Sequence, residues 1–170
     1  MKQPDRRDDT VTDRPADELL DFAPDVQLFM GVSLLYARLS ERIAQVDLGV
    51  ELSKPEKHLI VRLPAPKRMG DLARELMALP STVTAVADAL EAKGLAVRGR
   101  DPDDRRAWLL RLTDDGRALR ERMLREAGAT VREVTGLSEQ DIEQFAALVR
   151  QATARILENG YPEGLKLCDT

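Results

Sequence analysis

One cysteine and one histidine in 170 residues exclude much chemistry at once. A structural zinc centre takes about four nitrogen or sulfur ligands, and two such side chains cannot supply them. No disulfide can close within the chain, which suits a reducing compartment and predicts a cytoplasmic protein. A lone histidine and a cysteine near the end, Cys168, do not make a nucleophile, base and orienting group. Phosphate-cradling loops of the GxxxxGK[ST] or GxGxxG type are missing as well. Asp101, Asp103 and Asp104 could suggest a magnesium site, but the adjacent arginines oppose one. No enzyme activity, cofactor or metal is therefore expected. Aromatic residues make up only 4%, so any core must be aliphatic. No run of about 18 apolar residues offers a membrane span, and the N-terminus lacks the apolar stretch of a signal peptide. The formal net charge of −4 excludes a generic polyanion binder, so a nucleic-acid contact would need a local basic patch.

What is present is helical punctuation. Residues 1–16 carry both charges and two prolines and predict a disordered tail. From Pro24 to about Val46, apolar residues recur at spacings of three and four, giving a first helix with more than one apolar stripe. Ser53-Lys54-Pro55-Glu56 is a capping box opening a second helix that ends before Pro64. Residues 67–69 read as extended. A short helix over 71–77, a tight turn, and a helix from Pro80 to about Lys93 follow. Gly94 stands where a left-handed cap is wanted. Two strands come next, 95–100 and 106–112, around a tip at 101–105. Alternation predicts Leu95 and Val97 inward, Arg98 and Arg100 outward, and Trp108, Leu110 and Leu112 in the core. Thr113 caps a long helix that ends at Gly136, Ser138 opens a last one, and Asn159-Gly160 closes it; residues 159–170 read as a tail. The fold class is mainly α (α+β).

The run from Leu90 through Lys93-Gly94-Leu95, Arg98, Asp101-Pro102-Asp103-Asp104-Arg105-Arg106, Leu110-Arg111-Leu112-Thr113 to Gly116 resembles the winged helix-turn-helix segment of the MarR family of bacterial regulators. The strong match covers about residues 69–116. The resemblance implies one MarR-like domain over 17–158, with a winged helix at 53–113 and helices at 25–46 and 114–158 intertwined with those of a second copy. It implies a homodimer on a pseudo-palindromic double-stranded DNA operator, by default as a repressor. Thr82, Thr84 and Ala85 would face the major groove, and Ser81 would stand near the helix N-terminus, where backbone N–H groups can hold a phosphate. Arg98, Arg105 and Arg106 would serve the wing, with Asp104 holding the Arg106 guanidinium for the minor groove. A small aromatic or phenolic effector would meet Tyr36, Arg38 and His58, although a lone helical histidine also suits simple packing. Charge supports the wing: five arginines (98, 100, 105, 106 and 111) outnumber three aspartates. The net charge of −4 and the non-basic recognition helix leave an alternative, a winged-helix protein-interaction module that does not bind DNA.

Overall fold

The computed structural model describes residues 22–104 and 106–158. The expected tails, Cys168 and Arg105 lie outside them. Among the described residues, six helices and a small antiparallel sheet follow in the order α1 (Pro24–Ala44), α2 (Lys54–Val61), β1 (Lys67–Arg68), α3 (Met69–Glu75), α4 (Pro80–Ala92), β2 (Ala96–Arg100), β3 (Trp108–Leu112), α5 (Asp114–Thr135) and α6 (Glu139–Glu158). Two compact units divide the chain at residue 41. In the first, α1 buries no residue and exposes Leu28, Phe29, Leu34 and Tyr36.

The second unit has one aliphatic core. Leu59, Ile60 and Leu63 from α2 and its end meet Leu72 and Leu76, Val83, Ala87 and Leu90 of α4, Leu110 and Leu112 of the wing, and Leu119 of α5. The caps were legible. Ser53 and Glu56 form the complete capping box, Thr113 accepts the Gly116 N–H, and Gly94 and Gly136 adopt left-handed φ of 69° and 62°. Met77 is also left-handed, at φ 48°, in the turn between α3 and α4. There the Ala78 N–H reaches back to the Ala73 carbonyl at 3.0 Å, which ends α3 and turns the chain into Pro80.

The Glu56 carboxylate also locks α2 to the end of α4. It receives Lys93 Nζ at 2.6 Å, while the same ammonium donates to the Glu51 carbonyl at 2.7 Å. Burial alone would push the Glu56 carboxyl upward. Lys93 and the Ser53 N–H and hydroxyl outweigh it and hold the group below the usual carboxylate range.

The sheet corrects the alternation expected for the wing. Strand order is β1-β3-β2, and Ala96 pairs with Leu112, Arg98 with Leu110, and Arg100 with Trp108. Ala96, not Val97, is therefore the buried strand residue, and Arg98 shares a face with buried Leu110. The cause is the cap before the strand. The Leu95 N–H is spent on the Leu90 carbonyl at 2.9 Å and its own carbonyl accepts the Thr113 N–H at 3.0 Å. Leu95 thus closes α4, and the alternating ladder begins one residue later. Trp108 is corrected too: it lies on the inward face, paired with Arg100 at the end of the ladder nearest the tip, and is 44% exposed.

Candidate nucleic-acid interface

Helix α4 presents Ser81, Thr84 and Ala85 to solvent and keeps Thr82 half-buried, because Val83, Val86, Ala87 and Leu90 occupy the core face. Pro80 sits in the first turn and no side chain caps the helix at Leu79. Ser81 therefore does not serve as the cap. The Thr84 hydroxyl donates to the Pro80 carbonyl at 2.8 Å, so its proton is used within the helix. Its methyl group and oxygen lone pairs remain for a groove edge, where a methyl can meet thymine and an oxygen can accept from a base amine.

The wing is fastened to this helix by Arg98. Its guanidinium donates to Glu91 at 2.6 Å, to the Thr84 carbonyl at 2.9 Å, and to Asp88, while its backbone N–H donates to Glu91 Oε1 at 2.6 Å. This side chain is only 20% exposed. Arg98 faces α4 rather than standing outward, which corrects the expected orientation. Asp88, a liability near phosphates, is neutralised by the same contact.

A second fastening joins the wing tip to β1. Asp101, at the start of the tip, is buried. It accepts Arg68 Nε at 2.6 Å and the Asp103 N–H at 2.9 Å. Those bonds, the Asp103 N–H first and Arg68 next, hold its carboxyl below the usual range. The extended residues before α3 were the available signal, since a strand there must lie along β3 and bring Arg68 to the ribbon.

The sign of the pH dependence follows. A carboxyl depressed by folding adds stability above its unfolded pKa and loses it as pH falls through its folded value. Asp101→Asn should lower the urea midpoint at pH 7. The gap from the parent protein should close on acidification below the ordinary carboxylate range.

At the tip, the Asp104 carboxylate accepts the backbone N–H of Arg106 at 3.0 Å. The Ala107 N–H donates to the Asp104 carbonyl at 2.8 Å, and the Asp101 N–H to the Ala107 carbonyl at 3.1 Å. Asp104 therefore shapes the turn through the backbone, a different bond from the guanidinium fork expected. Arg106 is exposed. Arg100 lies over the Trp108 ring, 4.0 Å from its centroid.

The proposed effector residues are divided between the units. Tyr36 and Arg38 stand on α1, exposed, with Arg38 paired to Glu41 at 2.7 Å. His58 is exposed on α2; partial burial, Arg62 and Lys54 keep its pKa below the ordinary histidine value.

The model of the MarR family matches residues 60–108, from α2 to the start of β3. The uncharacterised HTH-type transcriptional regulator YkoM of Bacillus subtilis (strain 168) is 31% identical over 88 residues, covering 51% of this chain and 57% of YkoM. The match thus spans little more than half of that curated relative. FabT of Streptococcus pneumoniae, solved in complex with DNA, superposes with a TM-score of 0.62 at 26% identity, covering 79% of this chain and 96% of its own. YusO of Bacillus subtilis gives 0.56 at 26% identity, covering 83% and 99%. Family match and structural likeness thus meet on the winged-helix residues, and over residues 60–108 the chain is similar to the MarR family.

Proposed function

We propose that this protein is a transcriptional regulator that binds double-stranded DNA sequence-specifically, as a homodimer on a pseudo-palindromic operator, and acts as a repressor. The observation that carries this reading is the rigid coupling of a hydroxyl- and methyl-bearing α4 to an arginine-tipped wing through Arg98. A helix in the major groove and a ribbon reaching the adjacent minor groove need a fixed angle between them. The net charge of −4 does not oppose this, because the acids nearest the interface are paired: Asp88 and Glu91 with Arg98, and Asp101 with Arg68.

A second copy is the natural cover for α1 and α6. Neither helix buries a residue, and both leave large side chains in water, Phe29 at 74% and Leu148 at 64% exposed. A soluble chain rarely tolerates such apolar surface unpartnered. For an effector, the cationic surroundings of His58, with Lys54 and Arg62, suit a small aromatic carboxylate. Such a ligand would act by changing the spacing of the two recognition helices.

The test is selection of bound DNA from random duplexes at low salt, repeated with small aromatic acids. Enrichment of an inverted repeat, weakened by an acid that binds, is expected. Failure to enrich any sequence would instead favour a protein-interaction module.

A further inference from the structure

The inward face of the wing does not end where α4 ends. Along β2 and β3 it runs from the buried pair Ala96 and Leu112, through Arg98 and Leu110, to Arg100 and Trp108. The outermost pair projects past the core as a ledge: an indole 44% exposed with a guanidinium stacked over it at 4.0 Å. Beneath the ledge lies a groove of about 580 Å³ whose walls include Trp108, Thr84 of α4, and Gly70 and Arg74 of α3. Aromatic side chains are scarce in this chain, and its single tryptophan stands here rather than in the core.

We propose that this groove seats the sugar–phosphate backbone separating the major groove read by α4 from the minor groove entered by the wing. The inference rests on the DNA-binding reading above and adds a contact to it. Two elements that enter neighbouring grooves must straddle the strand between them, and the surface joining them on this molecule is the Trp108 ledge. The indole offers an apolar face to deoxyribose. Arg100, whose guanidinium carbon lies over that face, adds a positive charge beside the strand. Arg74 closes the other side. Its pairing with Asp71, which also lines the groove, is an exposed one within one helix turn, so solvent screens it and the pair can stay intact beside a phosphate. The remaining acids near the groove, Asp88, Glu91 and Asp101, are held by Arg98 and Arg68 and do not face the strand as free charges. Such contacts position the duplex without reading its sequence.

The sole tryptophan makes the test direct. The full chain is titrated with a fluorescein-labelled duplex from the enriched pool, following label anisotropy, and with the unlabelled duplex, following indole emission. Anisotropy should rise and emission should change with the same midpoint. Trp108→Ala should weaken binding about tenfold, the scale of one good aromatic contact, while the ranking of duplexes and the salt slope stay as in the parent. Trp108→Phe should stay within about twofold, because an aromatic face remains. Arg74→Ala should reduce the salt slope by about one. A rise in anisotropy with unchanged emission and parental affinity for Trp108→Ala would overturn this inference and leave DNA binding intact. No rise with any enriched duplex would overturn both. The emission arm uses the unaltered protein, so it decides even if the alanine variant folds poorly.

Discussion

Replacing Gly116 by alanine should destabilise the protein by about 3 kcal/mol or more, at the upper end of what an overpacked site costs. A methyl group at this position would lie 2.0 Å from the Leu95 carbonyl oxygen, 3.0 Å from its carbon and 3.2 Å from Leu112 Cβ. None of these is the end of a flexible side chain. The carbonyl cannot easily withdraw, because it accepts the Thr113 N–H at 3.0 Å, and the Thr113 hydroxyl in turn donates to the Gly94 carbonyl at 2.7 Å. The clash would fall on the junction of α4, the wing and α5. A melting temperature lower by roughly 6–12 °C is the corresponding readout for a domain of this size. Gly128 in the same helix is the control. A methyl there would meet only the Arg132 guanidinium, at 3.7 Å. Gly128→Ala should be neutral or stabilising by up to ~1 kcal/mol through helix propensity. Equal effects at the two positions would refute the junction described here.

The second large effect concerns DNA rather than stability. Arg106→Ala should weaken binding to an enriched duplex roughly tenfold or more and make the log–log salt slope shallower by about one for each wing engaged. Thermal stability should not change, because this side chain is exposed. Asp104 separates two accounts of the wing tip. Its carboxylate accepts a backbone N–H, a role the amide oxygen of asparagine can also fill. Asp104→Asn should therefore keep most of the affinity, and Asp104→Ala should lose it as the turn loosens. A loss with asparagine equal to that with alanine would restore the guanidinium fork suggested by the family resemblance.

Local chemistry explains which parts of this fold were legible in the sequence. Ser53 with Glu56, Gly94, Thr113 and Gly136 each satisfy or redirect backbone groups within a few residues, so their positions fix helix ends without tertiary knowledge. The aliphatic stripe of α4 was equally plain, since Val83, Val86, Ala87 and Leu90 fall on one helical face. The wing was harder. Alternation predicts which residues share a face but not which residue starts the ladder, and a cap that uses both polar groups of Leu95 moved that start by one. Hence Arg98 reached α4 rather than solvent. Long-range ion pairs were illegible for a related reason. Arg68 and Asp101 are 33 residues apart, and only the antiparallel pairing of β1 with β3 brings them together. In the candidate site, Ser81, Thr84, Ala85 and Arg106 are exposed, Thr82 is half-buried and Arg98 is turned to α4. The Trp108 ledge is illegible in the sequence because an aromatic residue in an alternating strand ordinarily belongs to a core.

The central claim is that α4 and the wing together form an interface for duplex DNA. Selection from random duplexes with the full chain tests it most directly. The predicted result is an inverted repeat whose half-sites lie about one helical turn apart, roughly 10 base pairs, with affinity that falls steeply as salt rises. A pool that stays random after repeated rounds at low salt would contradict it.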